Sequence, residues 1–239
     1  MLTHLDNSMK IKAFIINRDL LTWPKGLVES IQQKWPDTVE PVIIDNASSY
    51  GPLLEWYDTN PCRVIRLDHN YRHKVLWTSG LFYSEVKEDY YIVSDPDIDI
   101  SMVPDDTIEV MIHGVEKYTQ PKIGLALKID DLPEDSPNTA QVLAWESEHW
   151  KRPLEDHFYA APVDTTFSLC SRARNKAHSV SGIRLGGPYT CKHLPYYLTP
   201  DNVTPEYGYY LEHRARLEPD DINFRNRFST WVSEALKNE

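Results

Sequence analysis

Tyr90-Tyr91-Ile92-Val93-Ser94-Asp95-Pro96-Asp97-Ile98-Asp99 decides the reading of this chain. Tyr90 to Ser94 is a short apolar run of β-forming residues, and it ends abruptly in carboxylates at alternate positions. Such a run predicts a buried strand, with Asp95, Asp97 and Asp99 where it leaves the sheet. Ligands of open α/β sheets bind outside the carboxyl ends of the strands. Carboxylates gathered there repel one another unless a cation sits among them. Oxygen ligands suit a hard ion such as Mg2+ or Mn2+, which usually holds a substrate's phosphates. A solvated acidic loop after a core strand is the competing account, and the flanking sequence weighs between the two.

Upstream, Ile11 to Asn17 reads as a strand, and Leu20 to Trp35 carries Leu27, Ile31 and Trp35 at helical spacing. Val39 to Ile44 is a second strand, ending in Asp45-Asn46-Ala47-Ser48-Ser49. Pro52 to Tyr57 reads as a short helix, Cys62 to Leu67 as a third strand, and Val75 to Ser84 as a further helix. This β-α alternation is the signature of a mostly parallel, doubly wound sheet. Downstream, a helix is predicted over Asp105 to Tyr118, a strand over Lys122 to Ile129 and a loop over Asp130 to Asn138. A helix follows over Ala140 to Trp150, then a strand over Ala161 to Leu169 with Asp164 inside it. From Ser181 onward Gly, Pro and Tyr dominate, which predicts a loop-rich segment folded over the front of the sheet. No linker composition divides the chain, so residues 1–239 are expected to form one α/β domain.

With 41% hydrophobic and 26% charged residues, the composition supports an ordinary globular core. A formal net charge of −11 argues against a nucleic-acid partner, so an anionic substrate must be met locally. The three cysteines, Cys62, Cys170 and Cys191, have neither an even count nor CxxC spacing, which excludes a disulfide framework and a thiolate zinc site. Met1 to Lys10 is polar without an apolar core, and no apolar run reaches the length of a membrane span. A soluble cytoplasmic protein is expected, with peripheral membrane association left open. On that expectation the glycosylation sequons at Asn46 and Asn202 are not used.

Three segments in order carry a resemblance. They are Ala13-Phe14-Ile15-Ile16-Asn17-Arg18, Val42-Ile43-Ile44-Asp45-Asn46-Ala47-Ser48-Ser49, and Val93-Ser94-Asp95-Pro96-Asp97. Together the first half of the chain resembles the GT-A fold glycosyltransferases of the family-2-like group, whose DXD motif takes here a proline-containing form. The resemblance implies a Rossmann-like nucleotide-diphospho-sugar transferase fold, with residues 1–120 as the nucleotide-sugar half and 121–239 as the acceptor half. It implies a nucleotide-sugar donor, a glycan or glycolipid hydroxyl acceptor, and Mn2+ or Mg2+ as cofactor. Asp45 is expected on the base or ribose, with Asn17 and Arg18 lining the same pocket. Asp97 matches the metal-ligand position best, with Asp95 on the ribose, the metal or a metal-bound water.

The second half departs from the family, because no late Glu-Asp pair stands where the acceptor's base is usual; Glu155-Asp156 comes too early. Asp164, leading into an apolar run, is the preferred base, since a buried carboxylate there needs a purpose or a partner. A carboxylate capped by Thr165 or Thr166 is the alternative, and Asp156, Glu206 and Glu212 stand in reserve. His193 is a candidate third metal ligand, as in GT-A enzymes that close their site with a C-terminal segment; imidazole suits Mn2+ better than Mg2+. Arg184 and Lys192 flank it as candidate diphosphate contacts, and Arg172 to Lys176 is a basic patch. Gly182, Gly186 and Gly187 lead to the expectation that Gly182 to Tyr197 is a lid.

Rival readings fit less well. A calcium-binding EF-hand loop would put Ile100 where Gly is required. A haloacid-dehalogenase-type phosphatase carries its Asp-x-Asp after the first strand, and a sugar nucleotidyltransferase needs a Gly-rich loop where Asn17-Arg18-Asp19-Leu20 stands. A degenerate GT-A fold kept for binding nucleotide sugars or glycans remains as an alternative.

Overall fold

The computed structural model describes residues 10–59, 62–175, 180–214, 232, 235 and 236. Along the chain run β1 (Ile11–Asn17), α1 (Thr22–Lys34), β2 (Val39–Asp45), α2 (Gly51–Thr59) and β3 (Arg63–Arg66). Next come α3 (Val75–Thr78), α4 (Leu81–Glu85), β4 (Tyr90–Ser94), β5 (Ile98–Asp99), α5 (Thr107–Tyr118) and β6 (Lys122–Leu125). The remainder comprises α6 (Thr139–Glu146), β7 (Pro153–Glu155), β8 (Phe158–Tyr159), β9 (Ser168–Ser171), β10 (Ile183–Leu185), β11 (Lys192–His193) and α7 (Pro205–His213).

One nine-stranded sheet in the order β3-β2-β1-β4-β9-β6-β10-β8-β7 dominates the molecule. β3, β2, β1 and β4 are mutually parallel, β9 runs antiparallel between β4 and β6, and β10 is parallel to β6. The sheet is therefore continuous across residue 120. Alternation along the central strands sends side chains to two cores. Ile11, Ala13, Ile15, Ile43 and Ile92 face α1, α2 and α5 through Leu27, Ile31, Leu53, Ile108 and Met111. Phe14, Ile16, Val42, Ile44, Tyr91 and Val93 face Val75 and Leu76 of α3. Each buried face removes apolar area worth about 25 cal/mol per Å2.

Three predicted elements differ. The helix over Val75 to Ser84 is two short helices, because Gly80 adopts φ +85° and restarts the chain. The strand predicted to reach Ile129 ends at Leu125. The strand predicted over Ala161 to Leu169 begins only at Ser168, after Phe167 turns the backbone at φ +41°. No helix among the described residues is long and apolar enough to cross a membrane.

Candidate active site

The carboxyl ends of β1, β2 and β3 meet at one edge, where Asp19, Ala47 and Arg72 all adopt left-handed backbone (φ 53°, 57° and 62°). Non-glycine residues persist in this region only where surrounding contacts hold them. Here the contacts are explicit. The Asp19 carboxylate accepts the N–H groups of Ser49 (2.5 Å) and Tyr50 (3.0 Å), while the Ser48 hydroxyl accepts the Asp19 N–H (2.9 Å). Asp45 accepts the Ser48 hydroxyl, the Ser48 N–H (3.3 Å) and the Tyr57 hydroxyl (3.2 Å); burial raises its pKa against these bonds. Asn17 donates to the Leu20 carbonyl (2.8 Å) and to Tyr57 Oη (2.9 Å). Asn17 and Asp45, both expected beside the nucleotide, are only 1% and 2% exposed and form a buried shelf at these strand ends. Arg18 lies at the rim, its guanidinium donating to the carbonyls of Asn46 (2.7 Å), Ala47 (3.1 Å) and His213 (3.3 Å).

The acidic centre lies at the end of β4. Asp95 receives the Thr165 hydroxyl (2.6 Å), and its N–H donates to the Thr165 carbonyl (2.8 Å). Burial, then the charges of Asp97 and Asp164, push its pKa up to about 7. Asp97 is reached by His193 through a two-stranded ribbon. β5 pairs antiparallel with β11, Ile98 opposite His193 and Asp99 opposite Lys192, and the Leu194 N–H donates to the Asp97 carbonyl (2.9 Å). His193 Nε2 stands 3.4 Å from Asp97 Oδ2, and Tyr196 packs edge-on against the imidazole at 4.3 Å. Burial alone would lower the His193 pKa, but Asp97, Asp95 and Glu146 outweigh it and raise it. Asp99 accepts the Ser101 N–H (2.8 Å) within the following turn.

Among the described residues, no three His, Cys, Asp or Glu side chains form a ready-made metal cluster. Asp97 Oδ1 and His193 Nδ1 are nonetheless buried without a hydrogen-bond partner, and Asp95 sits beside the negative charges of Asp97 and Asp164. A hard divalent cation fits this donor set, completed by ligands from a bound diphosphate.

Asp164 occupies the loop before β9 and is exposed, which corrects the expectation of a carboxylate buried within a strand. It stays beside the centre, acting on Asp95 electrostatically. A cavity of about 170 Å3 opens there, with Lys74, Trp77, Lys122, Asp164, Thr165 and Asn175 in its wall. Lys122 Nζ donates to the Asp164 carbonyl (3.0 Å), and burial lowers its pKa.

Arg184 and Lys192, expected at the diphosphate, are each engaged in an ion pair here. Arg184 is buried in an ion pair with Glu146 (2.7 Å), and Lys192 pairs with Asp131 (3.0 Å) over the Tyr197 ring. Part of the expected lid is sheet in this structure. Ile183–Leu185 is an internal strand between β6 and β8, and a Cβ at Gly182 would lie 2.9 Å from the Lys122 carbonyl oxygen. That glycine serves close packing rather than motion. Arg174 binds Glu116 (2.8 Å), so the basic patch is partly neutralised; Lys176 lies outside the described residues. Glu206 caps the start of α1, and Glu155 bonds Tyr118 and Lys117 at the sheet's far edge. Sequence reading missed Glu146, Lys74 and Lys122. The run Arg72-His73-Lys74 after the third strand was an available signal, whereas Glu146 in a helical stretch gave none.

No protein-family model matches the chain, and no curated protein matches its sequence. Solved structures do. The chain is similar to glucosyl-3-phosphoglycerate synthase from Mycobacterium tuberculosis in complex with Mn2+, UDP-glucose and phosphoglyceric acid. Identity is 11% and the TM-score 0.50, over 96% of this chain and 79% of that one. It is also similar to S. aureus TarS 1–349, at 10% identity and TM-score 0.44, over 95% of this chain and 71% of that one. The sheet order and the first of these likenesses establish the fold class: this is the GT-A fold.

Proposed function

We propose that the protein is a metal-dependent glycosyltransferase that moves a sugar from a nucleotide-sugar donor to the hydroxyl of a glycan or glycolipid. One observation carries this reading. In a GT-A fold, the β5–β11 ribbon brings His193 to Asp97 at the end of β4, and both side chains retain a buried polar atom without a partner. Asp97 and His193 would hold the cation, with Asp95 beside them, and imidazole favours Mn2+ over Mg2+. When bound, the cation stabilises the negative charge that develops on the leaving nucleoside diphosphate.

The chain's own residues supply the rest. The shelf of Asn17, Asp45 and Ser48 sets the floor for the nucleotide, and Arg18 brings a cation to its rim. Lys74 and Lys122 bring positive charge to the cavity that would receive the transferred group. Asp164, exposed at that cavity, accepts the proton of the attacking hydroxyl, so inversion at the anomeric carbon is expected. Residues 1–120 form the donor half and 121–239 the acceptor half, meeting at the β4–β9 pair. The buried thiols Cys170 and Cys191 suit a reducing compartment such as the cytoplasm.

Donor identity is found by a thermal-shift screen of nucleotides with and without Mn2+. With the donor so identified, Asp97→Ala should abolish both donor hydrolysis and transfer while the fold persists. Turnover at the unsubstituted rate in that variant would overturn the reading.

A further inference from the structure

Glu146 is the last residue of α6, where a carboxylate opposes the helix dipole, and it is 2% exposed. Its partner Arg184 is buried to a similar degree, with side-chain exposures of 7% and 3% for the pair. Taking two charges out of water costs more than the attraction usually returns, so such a pair is poorly accounted for by stability alone. What it touches is more informative.

Arg184 Nη1 donates to Glu146 Oε2 (2.7 Å), and Arg184 Nε donates to the Pro162 carbonyl (2.8 Å). Pro162 begins the segment whose Thr165 holds Asp95 by two hydrogen bonds, of 2.6 and 2.8 Å. Between them Val163 is fully buried and its N–H donates to the Val180 carbonyl (2.9 Å), so the segment has little room to shift. On the other side, Glu146 Oε1 accepts the Tyr196 hydroxyl (3.2 Å). Tyr196 stands edge-on at 4.3 Å from the His193 imidazole, which faces Asp97 at 3.4 Å. One ion pair thus reaches both carboxylates by separate routes.

We propose that the Arg184–Glu146 pair is a positioning strut for the metal centre, fixing Asp95 through the 162–165 segment and Asp97 through Tyr196 and His193. This rests on the reading of Asp97 and His193 as cation ligands. Neither Arg184 nor Glu146 touches the cation or the substrate; both act through the groups that do. Partners behind a metal ligand orient it, and their loss typically costs about tenfold to a hundredfold in metal affinity.

The test measures binding of Mn2+ alone by electron paramagnetic resonance, beside the melting temperature and circular dichroism of each variant. Glu146→Gln keeps the shape and removes the charge, while Tyr196→Phe removes only the hydroxyl link. Glu146→Gln is expected to weaken Mn2+ binding by about tenfold or more, and Tyr196→Phe by a smaller factor in the same direction. Arg184→Lys, which keeps the charge but loses the forked geometry, should fall between wild type and Glu146→Gln. If Glu146→Gln fails to fold, the double variant Glu146→Leu with Arg184→Met supplies an apolar replacement; it should fold and still bind Mn2+ poorly. Wild-type Mn2+ affinity in folded Glu146→Gln and Tyr196→Phe, with affinity lost in Asp97→Ala, would overturn the strut alone. No Mn2+ binding by the wild-type protein would overturn the cation reading, and the strut with it.

Discussion

Asp95 is the residue under most electrostatic pressure, enclosed by Asp97 from the β4–β5 turn, Asp164 from the loop before β9, and His193 from β11. Lys122 is the cation that answers them from β6. With a folded-state pKa of about 7 against an ordinary 3.8, Asp95 binds its proton more tightly folded than unfolded. That contribution to stability is complete below the ordinary value and is lost as pH rises through about 7. Metal-free protein should therefore lose stability between about pH 4 and 7 in urea titrations, and Asp95→Asn should flatten the trend. A slope identical in wild type and Asp95→Asn would assign the effect elsewhere. Asp164 gives a complementary prediction. Because its side chain is exposed, Asp164→Asn should leave the fold intact, by circular dichroism, while lowering transfer by about 10²- to 10⁴-fold. Retention of configuration at the anomeric carbon, read by proton NMR of the product, would remove the base role.

At the scale of elements, α1 illustrates how distant parts of the chain complete one another. No side chain of its own caps its start; Leu21 precedes it and makes no such bond. Glu206, at the beginning of α7, accepts the N–H groups of Leu21 (2.7 Å) and Thr22 (2.9 Å) and the Thr22 hydroxyl (2.7 Å). It does for α1 what a local Ser or Asp does elsewhere, and its charge suits the positive helix end. Glu206→Ala should cost about 1–2 kcal/mol of stability, measured by denaturant unfolding, without altering Mn2+ affinity. A helix cap lent from this distance cannot be read from α1's own sequence. The same holds for the segment before β9. Val163, Thr165 and Thr166 have strand-forming side chains, yet Thr165 is bound to Asp95 and Phe167 turns the chain, so pairing starts only at Ser168. Propensity was correct about residue type and silent about the partner that overrode it.

For the molecule as a whole, short continuous apolar runs, buried on both faces, made β1, β2 and β4 legible, and the carboxylates after β4 marked the edge where a site belongs. His193 was legible as a candidate only through the resemblance to GT-A enzymes that close their site with a C-terminal segment. Its pairing with Asp97 was not, since ribbons of two residues carry no periodicity. For Arg184 and Asp45 one thing stayed out of reach: a charged residue in sequence does not show whether its polar groups are already engaged inside. Glu146 matches the first, while Ser48 and Tyr57 bond the second.

The antiparallel entry of β9 between β4 and β6 also has a consequence in time. During synthesis β3, β2, β1 and β4 can assemble as one local unit, but the outer edge of β4 pairs only with β9. At translation rates of about 5–20 residues per second, some 70 residues and roughly 4–14 seconds separate the two. Throughout that interval Tyr90–Ser94 presents an open, apolar strand edge, the feature most prone to pairing with another chain. A chain halted near residue 120 should consequently aggregate, by light scattering at micromolar concentration, where the complete chain stays dispersed. The same ordering makes His193 a late arrival, so the ion-binding centre is finished only after the scaffold that carries Asp97 already stands.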